Sequence, residues 1–243
     1  MVSGKDRLFE SGQGHPSPFE FNQAVVDVFP DMIERSVPGY RETLQGISQM
    51  AAHFARDGSC CFDLGCSLGA ASLAILNGTR DRDVALVAVD SSAAMVKSCE
   101  QVLHGEYPDS AVRVLLQDIR KVDISNACLV VMNYTLQFVP PAQRDELIQR
   151  IYQGLVDGGA LILSEKIRFT DPALDQWMIE RHHQFKRANG YSDLEISRKR
   201  DALEDVLVPE TLEDHTRRMG DAGFSMVSTW FQSLNFCSMI AIR

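Results

Sequence analysis

Cys61-Phe62-Asp63-Leu64-Gly65-Cys66-Ser67-Leu68-Gly69 decides how the rest of the chain is read. An apolar run, Cys60 to Phe62, enters it, and a small-residue stretch, Ala70-Ala71-Ser72-Leu73-Ala74, leaves it. The pattern is a strand, a glycine-containing turn and the opening of a helix. Gly65 permits a positive φ, or a close approach by a ligand, where a Cβ would intrude. The N–H groups that open the helix have no partner within it, so an anionic group can settle there. Asp63 ends the strand and can accept from a ligand hydroxyl or ammonium. Taken alone, such a turn is equally an ordinary strand-to-helix connection.

Working outward, Val84 to Val89 is a β-rich apolar run that stops on Asp90. An acid in that place, one βαβ unit after a glycine turn, is where a ribose diol is held. Val112 to Gln117 stops on Asp118, and Cys128 to Met132 stops on Asn133. Polar residues at successive strand ends share one edge of the sheet, where ligands of open α/β sheets bind. Strand-like and helix-like segments alternate over 59–64, 68–77, 84–90, 92–103, 112–117, 127–132, 141–156 and 160–166. That alternation predicts an α/β fold with a mainly parallel sheet and helices on both faces. Ser91-Ser92 offers an N-cap, Pro141 suits a first helical turn, and Gly158-Gly159 is expected to end that helix.

The flanks read differently. Residues 1–19 are polar and rich in Gly, Ser and Pro, which predicts a mobile tail. Phe19 to Phe29 suggests a short amphipathic helix ended by Pro30. Val37-Pro38-Gly39 is a turn before Tyr40, which opens a helix carrying Leu44, Ile47 and Met50. Tyr40 is there a packing residue or a ligand contact. Residues 167–208 form a charge-dense helical insertion in a domain expected to span 20–243. Asp171-Pro172 starts one helix, with Leu174, Met178, Arg181 and Phe185 on one side. Ser192-Asp193-Leu194-Glu195 is a capping box opening another, with Ile196, Arg200 and Leu203 on one face. An arginine within an apolar stripe needs a partner. Either an internal acid or a ligand carboxylate, which suits a guanidinium fork, would serve. A helix at 212–219 and runs Val227–Leu234 and Phe236–Ile242 then predict a closing hairpin.

At 243 residues, with 45% hydrophobic and 23% charged residues, the chain fits one elaborated α/β domain. The formal net charge of -9 argues against a large nucleic-acid footprint. No apolar stretch approaches a membrane span, and no secretory h-region is evident. The six cysteines include no C-x-x-C pair, which reads as buried reduced thiols in a cytoplasmic protein. Cys66 is expected to matter through its backbone. His182-His183, being adjacent, do not share a helical face, so no metal site is expected.

Asp63-Leu64-Gly65-Cys66-Ser67-Leu68-Gly69 resembles the D-x-G-x-G-x-G signature of S-adenosylmethionine-dependent methyltransferases, with Ser67 in place of the middle glycine. More specifically, residues 20–243 resemble the carboxy-S-adenosyl-L-methionine synthase family. The resemblance is carried by Val28-Phe29-Pro30-Asp31-Met32-Ile33, Arg35-Ser36-Val37-Pro38-Gly39-Tyr40, the glycine turn itself, Thr135-Leu136-Gln137-Phe138 and Phe185-Lys186-Arg187-Ala188-Asn189-Gly190-Tyr191-Ser192. It implies a Rossmann-like methyltransferase fold, a homodimer, S-adenosyl-L-methionine as substrate and prephenate as carboxyl donor, with no metal, no direct nucleic-acid contact and no membrane. Carried over by position, Tyr40, Gly65, Cys66, Ser67, Asp90, Ser91, Asp118, Ile119, Asn133 and Arg200 should contact the adenosyl ligand. Arg200 would hold the new carboxylate and is the one residue assigned to catalysis. Ser91 stands where the family often has Asn, so a backbone contact is expected there. The family's product is the carboxymethyl donor for wobble-uridine modification of transfer RNA. The alternatives are a conventional small-molecule or RNA methyltransferase and a non-catalytic S-adenosylmethionine-binding protein.

Overall fold

The structure is a computed structural model that describes residues 4–10, 19–108 and 110–243. Helices α1 (Gln23–Ser36) and α2 (Tyr40–Phe54) precede β1 (Ser59–Leu64). There follow α3 (Ala70–Thr79), β2 (Val84–Asp90), α4 (Ala93–Glu106), β3 (Val112–Leu116), β4 (Ala127–Asn133), α5 (Pro141–Gly154) and β5 (Leu155–Lys166). Helices α6 (Pro172–Ala188), α7 (Asp193–Leu203) and α8 (Leu212–Ala222) lead into the hairpin β6 (Met226–Ser233) and β7 (Phe236–Ile242).

The sheet has seven strands in the order β3-β2-β1-β4-β5-β7-β6. β1 to β5 are parallel, and β7 runs antiparallel between β5 and β6. The expected α/β methyltransferase architecture with its closing hairpin is therefore present. The chain moves one way from β1 to β3 and returns on the other side of β1 with β4, so a crevice opens at the carboxyl ends of β1 and β4. Side chains alternate between faces. Phe62, Val87, Val130 and Leu161 join one core layer, against α5 and α8. Cys61, Leu86, Leu129 and Ile162 join the other, against α2 and α3. Truncating a fully buried member such as Leu129 to alanine would cost about 2–5 kcal/mol. All six cysteines are free, five of them buried.

Several boundaries differ from the sequence-based expectation. Helix α5 ends at Gly154, and Gly158 takes its positive φ of 71° inside β5. Glycine is needed at 154, the last helical residue, because a Cβ there would lie 2.2 Å from the Ile124 carbonyl oxygen. Pro30 sits inside α1 instead of ending it. The helix is held on both sides of the proline: Asn22 Oδ1 accepts from Val25 N–H, and Arg35 Nε donates to the Asn189 carbonyl at 2.7 Å.

The expected tail also changes. Asp6 is 1% exposed. Its N–H donates to Asp31 Oδ2 at 2.7 Å, Tyr191 Oη donates to its carboxylate, and Lys199 Nζ lies 3.6 Å from Oδ2. Residues 4–10 are thereby docked on α1 and the helical insertion. The rest of the expected tail, 1–3 and 11–18, lies outside the described residues.

Candidate active site

The turn between β1 and α3 is fixed from the β2 side, where the Val89 carbonyl accepts the Gly65 N–H at 2.8 Å and the Cys66 N–H at 2.9 Å. Gly65 has φ +90°, and a Cβ on it would lie 2.2 Å from Thr135 Oγ1. Any larger residue would push the turn off the loop that follows β4. Ser67 has φ +49°, a left-handed conformation that glycine adopts without strain. That is why the signature carries glycine there. In this chain the Ser67 N–H donates to Asp90 Oδ2 at 2.9 Å, which offsets the strain.

Asp90 ends β2. Its second oxygen accepts the Ser92 N–H at 2.9 Å. Burial raises its carboxyl above the ordinary range, opposed by N–H donation from Ser92, Ser67 and Ser91. These donors leave the carboxylate with acceptor capacity for a ligand. Ser91 is exposed. Asp63 ends β1 fully buried, accepting from Ser72 Oγ at 2.6 Å on Oδ2. Among the described residues its Oδ1 is buried with no hydrogen-bond partner, and so is Asn133 Oδ1 at the end of β4. Burial pushes the Asp63 carboxyl up to about 7, Ser72 donation opposing it and the charge of Asp90 adding to it. The hydroxyl of Tyr40 is held above its usual range by burial, then by Tyr134 and Asp63. The ring of Tyr40 lies 6.3 Å from that of Tyr134, and Tyr134 lies 5.8 Å from Phe236. Asp118 follows β3 and opens a 3₁₀ turn over Ile119–Lys121, with its carboxylate accepting from the Arg120 N–H at 2.9 Å and from its guanidinium.

Gly65, Cys66, Ser67, Asp90, Ser91, Asp118, Ile119 and Asn133 thus all stand at or just beyond the carboxyl edge of β1 to β4, with Tyr40 beside Asp63. Arg200 does not join them. The buried arc of α7 is Glu195, Ile196, Lys199 and Ala202, so the apolar stripe passes one residue before Arg200. A step of one residue turns about 100° around a helix. Arg200 is consequently 64% exposed and paired with Asp201 at 3.0 Å. Within one chain it touches no strand-end residue among those described.

An adenosyl ligand fits what is missing here. A buried acceptor left unpaired costs about 1–3 kcal/mol. Asp63 Oδ1 and Asn133 Oδ1 are two such acceptors at one edge, and ribose hydroxyls and an α-ammonium are donors. A separate groove of about 500 Å³ lies on the face of β1 to β3, lined by Cys60, Ala85 and Arg113 near the amino ends of the strands, away from this edge.

The family described as "Methyltransferase domain" matches residues 62–159. Carboxy-S-adenosyl-L-methionine synthase of Shewanella oneidensis is 49% identical over 243 residues, covering 100% of each chain. The synthase of Geobacter sp. (strain M21) is 50% identical over 244 residues, again covering 100% of each. The chain belongs to the carboxy-S-adenosyl-L-methionine synthase family. Among solved structures, magnesium protoporphyrin IX methyltransferase from Synechocystis PCC 6803, with bound S-adenosylmethionine, superposes with a TM-score of 0.59 at 15% identity. That match covers 98% of this chain and 88% of the other, and it shows a shared fold.

In this carboxy-S-adenosyl-L-methionine synthase family member, two residues near the edge escape sequence reasoning. Tyr134 takes φ +61° and is buried between Tyr40 and Phe236. A bulky residue directly after the polar end of β4 was the available signal. Glu165 is fully buried and accepts the Leu136 and Gln137 N–H groups at 2.8 and 2.9 Å. Burial raises its carboxyl to about 8 against those bonds. No sequence pattern marks it, because it lies within an apolar strand.

Proposed function

We propose that this chain converts S-adenosyl-L-methionine and prephenate to carboxy-S-adenosyl-L-methionine and phenylpyruvate. The choice of reaction is carried by identity of 49–50%, end to end, with proteins of that name. The strand edge supports the ligand. With the ribose on Asp90, the adenine lies outward over Asp118 and Ile119. The methionyl end lies inward toward Asn133, Asp63 and Tyr40. Gly65, Cys66, Ser67 and Ser91 contribute backbone.

Prephenate aromatises by losing carbon dioxide and hydroxide. Hydroxide takes a proton from the S-methyl group and becomes water, and the methyl carbon bonds to carbon dioxide. The protein's tasks are proximity and exclusion of water. Arg200 is the group for the added carboxylate. Its exposure on α7 supports a site completed across a homodimer. Leu174 and Trp177 on α6 and Leu194 on α7 are 40%, 50% and 53% exposed, an apolar surface that suits such an interface. The product would serve as the carboxymethyl donor for wobble uridine in transfer RNA, in the cytoplasm. No helix among the described residues is long and apolar enough to cross a membrane.

The test is turnover with and without prephenate, together with the mass of the small molecule released on denaturation. Product heavier than S-adenosyl-L-methionine by one carbon dioxide, formed only with prephenate, is expected. Methyl transfer to an acceptor, with prephenate inert, would overturn the proposal.

A further inference from the structure

Beyond Tyr40 and Tyr134 the aromatic wall meets a cluster of basic side chains. Phe236, next to Tyr134, also packs edge-on against His182, with ring centroids 4.9 Å apart. In the ladder between β5 and β7, Phe236 is the partner of Lys166, the last residue of β5. His182 and Lys186 are one turn apart on α6 and only 4% and 9% exposed. Lys199 on α7 is buried as well. These ammonium groups sense one another: burial, then the charges of Lys199 and Lys166, bring Lys186 down to about 7.

Their partners are unequal. Lys199 Nζ has Ser36 Oγ at 3.0 Å and Asp6 Oδ2 at 3.6 Å. His182 Nε2 lies 2.8 Å from the Ser36 carbonyl oxygen and so carries the proton it donates. Lys166 feels the charge of Asp175. Lys186 Nζ has neither a carboxylate nor a hydrogen bond among the described residues. Elsewhere this fold pairs a buried cation closely: Arg144 meets Glu210 at 2.6 Å. An unpaired buried ammonium is costly, and a methionine would fill the same space without the penalty. An anion from outside the chain would hold it in the charged form, against the burial that brings it down to about 7.

We infer that Lys186 and Lys166 form the carboxylate-binding subsite for the second substrate, a ring-bearing dicarboxylate. This rests on the proposed function, in which that substrate is prephenate. The arrangement sorts charge. The cationic sulfonium lies by Asp63 and Asp90, and the dianion lies by the lysines. Tyr134 and Phe236, with rings 5.8 Å apart, stand between the two sets.

The experiment compares wild type with Lys186→Met and Lys166→Met, and with Lys186→Arg as the conservative replacement. It reads the KM for prephenate, the affinity for S-adenosyl-L-methionine by calorimetry, and ligand-free Tm. Lys186→Met should raise the prephenate KM at least about thirty-fold, the low end of losing one partner of a buried charge pair. Affinity for S-adenosyl-L-methionine should stay near wild type, ligand-free Tm should hold or rise, and Lys186→Arg should recover much of the loss. An unchanged prephenate KM overturns the inference. So does an equal loss for both substrates, which would make the cluster the seat of the methionyl carboxylate. A fall in ligand-free Tm with unchanged KM assigns the cluster a structural role and also overturns it. Protection of Tm by prephenate in wild type, and its loss in Lys186→Met, reads the subsite without turnover. A wild type that is protected but does not convert S-adenosyl-L-methionine would sink the proposed reaction and leave the subsite standing.

Discussion

Replacing Asp90 by alanine tests the centre of the site. The carboxylate already holds the Ser67 and Ser92 N–H groups at 2.9 Å each. A ribose diol would add two more donors to the lone pairs that remain. Hydrogen bonds to a charged group are worth about 1.5–3 kcal/mol each. Losing both would cost at least about 3 kcal/mol, or roughly 100-fold in Kd. The true loss should be larger, because Ser67 at φ +49° would lose the bond that holds the turn in shape. Calorimetric titration of S-adenosyl-L-methionine measures the affinity, and circular dichroism confirms that the sheet persists. Wild-type affinity in a folded Asp90→Ala protein would remove Asp90 from the ligand site and the strand-edge account with it.

Burial raises the Asp63 carboxyl from 3.8 to about 7, so the folded state keeps a proton that the unfolded chain has released between those values. Stability of the ligand-free protein should therefore fall as pH rises through that window and level off above 7, by roughly 4 kcal/mol in full. Asp63→Asn should erase this part of the fall and exceed wild type in Tm at alkaline pH. Superimposable Tm–pH profiles would exclude it. Trp177, 50% exposed on α6, should sit in the dimer interface, so Trp177→Glu should halve the mass seen by light scattering. A wild type that is already monomeric at micromolar concentration defeats that reading. Arg200→Ala should barely move ligand-free Tm, since an exposed pair such as Arg200–Asp201 is worth about 0–1 kcal/mol. It should weaken carboxy-S-adenosyl-L-methionine more than S-adenosyl-L-methionine, and equal losses would end its role as a clamp.

What could be read from the sequence was what short-range chemistry dictates. The glycine turn, the acids at the strand ends, the Ser92 and Ser192 caps and the final hairpin each have a local cause, and each stands where that cause puts it. What escaped was decided by contacts between distant segments. Gly154, not Gly158, is the last residue of α5, and it must be glycine because Ile124, thirty residues earlier, packs against it. Periodicity placed Arg200 on the apolar stripe, but the tertiary packing of α7 buries Lys199. The difference is one residue, below what a short helix with charges on several faces can resolve. Lys186 and Glu165 are buried ionisable side chains, and residue type alone argues against burying either.

Asp6 makes a closed knot out of segments far apart in the chain. It accepts from Tyr191 Oη, stands by Lys199 and receives Arg35 on its carbonyl oxygen, while Arg35 stacks 3.9 Å over the Tyr191 ring. Releasing residues 4–10 would strip Lys199 of its salt-bridge partner, and swinging α7 outward would leave the Asp6 carboxylate with Tyr191 Oη and the Leu8 N–H but without Lys199. The two events are therefore coupled. Amides of α7 and the peptide bonds around Asp6 should open with a single free energy, and a ligand that orders the helices would also shield the first residues from proteolysis.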